Sequence, residues 1–364
     1  MRNTDFFARN LRACRIGAGM TQEQLAEKIG YSKKTVSKWE TGAGFPSILT
    51  VKTLAAVLHT TSDALLAEDG GTYYLGIDGG GTKTEFLLRD AKGETVSSCI
   101  RSASNPNDVG MTSAQAALDD GIRTVCGNIP FSRVFCYAGI AGGTSGQNRA
   151  ALLHFLASFG FARCDCGSDN ENIIAAGLGG GDGITLIVGT GICAFTVKDG
   201  SRTRTSGWGY LLDRGGSAYN FGNDALYAYY AALDGTGIKT SLTEAVRRQS
   251  GLEPNELLAK LYAEGKRYIA SFAHLVFEEA EKGDAAAQEI VLRNAEAVKN
   301  VLSAASSPFG DAEGIRVVLS GGLTGERYFL DRLHSVLPAN RYALSVLPCR
   351  PVEGALLLAR ALNG

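Results

Sequence analysis

Residues 73–84 read Tyr-Tyr-Leu-Gly-Ile-Asp-Gly-Gly-Gly-Thr-Lys-Thr. The aromatic and aliphatic run Tyr73–Ile77 predicts a strand, and Asp78 with Gly79, Gly80 and Gly81 predicts a sharp turn at its end. Consecutive glycines let backbone amides approach phosphate oxygens without a Cβ in the way. The turn is not a P-loop, because Gly81 is followed by Thr82 before Lys83. By itself a triple glycine serves equally as an ordinary tight turn. Two further strands end the same way, however. Ile184–Val188 runs into Gly189-Thr190-Gly191, and Val317–Leu319 runs into Ser320-Gly321-Gly322. Three strand-then-glycine corners in one chain are far more specific than one.

Working outward, Thr84–Arg89 and Thr95–Arg101 predict the next strands, 112–126 a helix, Val134–Gly139 a strand and 147–159 a helix. The pattern restarts with Ile184–Val188 and Cys193–Lys198, continues through a helix-rich stretch at 217–305, and closes on a helix near 353–361. Strands alternating with helices predict an α/β architecture with both sheet faces covered. A glycine corner after the first strand of each half predicts duplication into two lobes, 74–182 and 183–364.

The first 68 residues differ in character. Apolar residues fall at helical spacing, as in Leu25/Ile29, Val36/Trp39 and Leu54/Leu58, so an all-α bundle is expected. Thr21, Ser32 and Thr61 are N-cap candidates, Thr21 with Gln24 has the capping-box spacing, and Gly30 and Gly42 mark helix ends. The polar, glycine-bearing stretch at 67–72 predicts a boundary, with a linker at 69–73. Between Thr21 and Trp39 lies a helix, a turn at Gly30-Tyr31 and a second helix. That second helix turns Val36 and Trp39 inward and presents Ser32, Lys33, Lys34, Thr35, Ser37 and Lys38 outward. Short polar and basic groups on one helix face are what base edges and phosphates in a major groove require.

Bulk numbers narrow the classes. At 364 residues, 45% hydrophobic, the chain is long enough for two or three domains at ~150 residues each. Its net charge of −1 excludes polyanion binding by bulk charge. Through residue 70 nine Lys/Arg face seven Asp/Glu, so DNA affinity has to come from placed residues. Eight cysteines are scattered, with Cys164-Asp165-Cys166 the one close pair, which suits free thiols rather than a zinc site. With no apolar run of ~18 residues and no apolar signal segment behind Met1–Asp5, no membrane contact and a cytoplasmic location are expected.

Met20–Ala26, Ser32–Gly42, Pro46-Ser47 and Leu54-Ala55 resemble the Cro/C1 (XRE) family of helix-turn-helix proteins over about 5–67. The resemblance implies double-stranded DNA as partner, Gln22, Lys33, Lys34, Thr35 and Lys38 as contacts, and a homodimer reading paired half-sites. The three glycine corners resemble the two phosphate motifs and the adenosine motif of the acetate and sugar kinase, heat-shock chaperone and actin superfamily. That resemblance implies an actin-like (ribonuclease H-like) two-lobe fold with ATP in the cleft between the lobes.

Gly76–Thr84, Ser168-Asp169, Gly189-Thr190-Gly191, Gly207-Trp208-Gly209, Gly216–Tyr219 and Pro351–Leu356 bring the chain nearer to N-acetylglucosamine kinases and BadF/BadG/BcrA/BcrD-type ATPases, over about 74–361. The resemblance implies ATP held by Gly79, Gly80, Gly81, Thr82, Lys83, Gly189, Thr190, Gly191, Gly321 and Gly322. It further implies Mg²⁺ held through water by Asp78, Asp169 as general base, and a small sugar-like ligand touched by Asn105, Trp208, Gly209, Tyr210 and Asp213. Local chemistry offers plainer roles: Ser168 or Asp169 as an N-cap, Asn105 as a turn, Trp208 as a core residue.

Two stretches depart from the sugar-kinase pattern. Arg214 stands where the sugar-binding aspartate belongs, Asp213 being one residue early, and Ile192-Cys193 replaces Ser-Asn after the second phosphate motif. Lost polar partners weaken recognition of a neutral sugar, and Arg214 hints at an anionic ligand. The leading expectation is a DNA-binding transcriptional regulator that senses or phosphorylates a small sugar-like ligand. An amino-sugar kinase of the N-acetylglucosamine type is the alternative. An ATPase activating a partner enzyme is the third reading, disfavoured because the iron–sulfur activators' cysteine motif has no match.

Overall fold

The computed structural model describes residues 3–66 and 71–364. The expected boundary lies mainly on 67–70, outside the described residues. The chain divides into two units, 1–179 with 349–364, and 180–348.

The first unit begins with five helices: α1 (Asn3–Gly17), α2 (Gln22–Ile29), α3 (Lys33–Glu40), α4 (Ile48–Val57) and α5 (Ser62–Leu66). Their starts follow from local chemistry. Thr21 Oγ1 accepts from the Gln24 amide while Gln24 Oε1 accepts from the Thr21 amide, completing the capping box. Ser32 accepts from the Thr35 amide, and Ser47 from that of Thr50. Gly30, at φ 74°, closes α2 in the left-handed region. Phe7, Leu11, Leu25, Val36, Trp39, Val51, Leu54 and Leu65 form a core of their own.

Then come β1 (Tyr73–Gly79), β2 (Lys83–Asp90), β3 (Thr95–Ser102), α6 (Pro106–Val109), α7 (Met111–Cys126), β4 (Val134–Ile140), α8 (Asn148–Ala157), β5 (Arg163–Gly167) and α9 (Asp169–Leu178). The sheet runs β3-β2-β1-β4-β5, with β1, β4 and β5 parallel and the β2 and β3 pairings antiparallel. One face packs Leu75, Ile77, Phe86 and Leu88 on Leu118, Ile122, Leu152 and Leu156.

The second unit repeats the plan. β6 (Gly183–Val188), β7 (Ile192–Lys198) and β8 (Ser201–Ser206) form an antiparallel run, followed by α10 (Ala218–Leu233), α11 (Leu242–Ser250), α12 (Pro254–Glu264), α13 (Lys266–Ala270), α14 (Ala273–Glu281) and α15 (Ala285–Ala305). β9 (Ile315–Ser320), α16 (Arg327–Val336) and β10 (Tyr342–Val346) complete it. The order β10-β9-β6-β7-β8 mirrors the first sheet strand for strand, so the expected duplication is present.

One boundary differs from the expected one. α17 (Pro351–Ala361), assigned by chain order to the second lobe, belongs to the first unit. Its Val352, Ala355, Leu356 and Ala359 cover Tyr74, Leu87 and Tyr137, on the sheet face that α7 and α8 leave open. Burial of that face decides where the helix goes; sequence adjacency does not.

The helical module is seated on this same unit. A single turn, Phe131–Arg133, lies against α1. Ser132 Oγ donates to Cys14 Sγ at 3.7 Å, and the buried Arg133 guanidinium donates to the Ala64 carbonyl near the end of α5. Asn10 Nδ2 donates to the next carbonyl, Leu65, at 3.2 Å. Arg133→Ala would strip the Ala64 carbonyl of its buried donor. A loss of about 1–3 kcal/mol is expected, read as a lower denaturant midpoint for the module's unfolding.

Candidate functional site

In the first unit, Asp78 sits at the C-terminal end of β1, opposite Gly139 of β4. C-terminal ends of parallel strands are where α/β sheets place ligands. The glycine turn beyond it is closed by the Gly80 amide donating to the Lys83 carbonyl at 2.9 Å, and Thr82 and Lys83 stand exposed at its tip. Asp169 opens α9, immediately after β5. Ser168 is the N-cap, accepting from the Asn170 amide, while Asp169 Oδ1 accepts from the Ser168 hydroxyl and the Asn170 amide. The capping role thus falls first on Ser168, and Asp169 lies in the first turn.

Burial pushes the Asp78 carboxyl up to about 6; the Asn172 amide opposes this, and the charge of Asp169 adds to it. Burial raises Asp169 as well, against the hydrogen bonds from Ser168 and Asn170. Two half-buried carboxylates that repel each other, with no ion-pair partner among the described residues, make a donor set suited to a divalent cation and its waters.

In the second unit, two glycine corners come together. The Gly189 amide donates to the Gly191 carbonyl at 3.0 Å, and the Ala218 amide at the head of α10 donates to the Gly189 carbonyl at 2.8 Å. Gly321, at φ 106°, passes so close to β6 that a Cβ there would lie 2.5 Å from the Val188 carbonyl oxygen. Only glycine lets the third corner sit beside the second.

The remaining candidates are placed as follows. Asn105 caps α6: its Oδ1 accepts from the Asn107 amide, its Nδ2 donates to Asp108, and Asn107 and Asn148 extend the network to Ser145 and the Gly142 carbonyl. Asp213 folds its own loop. Its Oδ1 accepts from the Ser206 hydroxyl and the Gly207 and Trp208 amides, and its Oδ2 from the Gly209 amide. These four bonds give Asp213 a part in shaping the loop. Trp208 is 68% exposed, with the Arg204 guanidinium 4.2 Å above its ring, so it is no core residue. Tyr210 packs edge-on against Tyr219. Arg214 is exposed.

On the helical module, Lys34 and Lys38 are exposed with no carboxylate partner among the described residues, whereas Lys33 pairs with Glu23 at 3.2 Å. Gln22 donates to Glu40, which also holds Arg15. Ser32 and Thr35 share a hydroxyl contact within the cap.

A family model described as the BadF/BadG/BcrA/BcrD ATPase family matches residues 75–359, and a helix-turn-helix model matches 11–65. The chain belongs to the BadF/BadG/BcrA/BcrD ATPase family. Its fold is that of actin-like sugar kinases, preceded by a helix-turn-helix domain. The N-acetyl-D-glucosamine kinase of Dictyostelium discoideum is 28% identical over 309 residues, 79% of this chain and 97% of that one. A candidate N-acetylglucosamine kinase structure from Chromobacterium violaceum superposes with TM-score 0.65 at 26% identity, over 79% of this chain and 99% of its own. A ROK-family transcriptional regulator, homologous to the E. coli MLC protein, matches the fold across 99% of this chain and 96% of its own, with TM-score 0.54 at 12% identity. Among the described residues no helix is long and apolar enough to cross a membrane.

Sequence reasoning missed Asn172, whose side chain reaches Asp78. The available signal was its place three residues after Asp169, one helical turn along the same face. A pH dependence follows from Asp78. With its folded value above the ordinary carboxylate range, the folded protein holds a proton that the unfolded chain releases between pH about 4 and about 6. Wild-type stability in magnesium-free buffer should therefore fall relative to Asp78→Asn as pH rises through that window. The difference should reach roughly 3 kcal/mol, at about 1.4 kcal/mol per pKa unit, in parallel denaturant titrations.

Proposed function

We propose that this chain is a cytoplasmic DNA-binding transcriptional regulator whose kinase-like region binds ATP with Mg²⁺ and senses a small sugar-like ligand. The observation that carries the reading is the seating of the DNA module, through Ser132 and Arg133, on the unit that contains Asp78 and Asp169. A ligand that moved β4 or the turn before it would move α1 and α5 with it. Ligand-driven rigid-body change in a kinase-like domain then becomes a change in how the recognition helix is presented.

In this reading Gly79–Lys83 and Gly189–Gly191 serve the phosphates of ATP and Gly321-Gly322 the adenosine. Asp78 carries Mg²⁺ through water, which neutralises charge on the phosphates when bound. Asn105 and the Trp208–Asp213 loop serve the ligand. Lys34 and Lys38 hold DNA phosphates, with Gln22, Ser32, Lys33 and Thr35 beside them, and a homodimer engages paired half-sites. Fluorescence anisotropy against a randomised duplex pool, with and without MgATP and amino sugars, tests it. Lys34→Ala with Lys38→Ala is expected to weaken duplex binding and flatten its salt dependence by close to two charges. An unchanged salt slope would remove the lysines from the interface.

A second reading, an ATP-dependent amino-sugar kinase, is favoured by Asp169, a half-buried acid with a raised pKa at a helix start, suited to take a proton from a hydroxyl. In an ATP-consumption screen over amino sugars and their acidic derivatives, a kinase loses turnover on Asp169→Asn by a factor of about 10²–10⁴ while keeping nucleotide affinity. A sensor shows no turnover to lose.

A further inference from the structure

Asn172 is wholly buried on α9, and its side-chain nitrogen faces three acceptors: the Ile77 carbonyl at 3.2 Å, the Gly139 carbonyl at 3.3 Å and Asp78 Oδ1 at 2.7 Å. Because all three neighbours only accept, the nitrogen has to be the atom turned toward them. The amide oxygen is left buried with no hydrogen-bond partner. An orphan acceptor is costly, so the residue's value lies in its donors.

Room for it is made by two glycines. A Cβ at Gly139 would lie 2.2 Å from Asn172 Oδ1, and one at Gly354 would lie 1.8 Å from the Asn172 carbonyl oxygen. β4 is therefore pared back around the Asn172 side chain, and α17 around the α9 backbone that carries it. Its shortest bond goes to the carboxylate, and the two longer ones to the strands that flank it.

The geometry points to Asn172 as a positioning residue that fixes the rotamer of Asp78, so that its second oxygen is presented to a hydrated magnesium ion. This rests on the ATP-and-magnesium reading above. One donated bond to Oδ1, 2.7 Å long, locks the plane of the carboxylate and leaves Oδ2 for the metal's waters. An outer partner of this kind sets metal affinity without touching the metal.

The test is calorimetry on the full-length protein, measuring ATP binding as a function of Mg²⁺ concentration. Asn172→Ala deletes the donor. Gly139→Ala leaves the amide in place and pushes it off Asp78. In both, the Mg²⁺ concentration for half-maximal effect should rise about 10–100-fold, the usual range for such partners, while ATP affinity at saturating Mg²⁺ stays within about twofold of wild type. A purely structural role would lower the melting temperature and leave the magnesium requirement untouched, and that result overturns the inference. Should neither variant fold, wild-type protein decides: Mn²⁺-nucleotide must broaden the Asn172 side-chain amide resonances, and their persistence rejects the assignment. Wild-type protein that binds nucleotide without any magnesium dependence rejects it too, whereas no nucleotide binding at all takes down the ATP reading together with it.

Discussion

Two carboxylates held near one another at the end of a sheet organise the first unit. Asp78 and Asp169 are half-buried, each raised by desolvation, and Asp78 is raised further by the charge of its neighbour. Such a pair destabilises the apo fold unless hydrogen bonds or a cation compensate. The compensation visible in the chain is local: Ser168 and Asn170 at Asp169, Asn172 at Asp78. The strand register and the glycines beside Asn172 all serve to bring those few donors to the acids. The repulsion left over is of the kind a bound divalent cation relieves.

The same unit carries the DNA module. Arg133 is buried, and its guanidinium reaches a carbonyl of α5, so the module is joined to the sheet by polar contacts as well as by the chain. β4 begins at Val134, directly after the docking turn, and ends at Ile140, next to Gly139 and its contact with Asn172. One strand thus runs from the docking contact to the residue that holds Asp78.

Most of the frame was legible because it rests on local rules. Thr21, Ser32 and Gly30 act through their own turns, and each of the three glycine corners follows an apolar run that reads as a strand. What escaped was set by tertiary context. β8, Ser-Arg-Thr-Arg-Thr-Ser, is an exposed edge strand with no apolar alternation to betray it. α17 was read with the lobe that precedes it in sequence, although its apolar stripe is matched to Tyr74, Leu87 and Tyr137. Asn172, a polar residue in a helix, reads as solvent-facing until the glycines of β4 and α17 are seen to make room for it. Asp213, expected at a ligand, also accepts from three amides and a hydroxyl of its own loop, a structural role that chain spacing alone does not reveal.

The return of α17 has a consequence for biogenesis. During synthesis the ribosome releases the first sheet well before the helix that covers one of its faces, because the whole second unit is made in between. Before that helix emerges the second unit, continuous from 180 to 348, has been made, while in the first Tyr74, Leu87 and Tyr137 still lack the helix that covers them. The nascent chain therefore carries an uncovered apolar layer through much of translation, the kind of surface that aggregates until its covering helix, α17, is made.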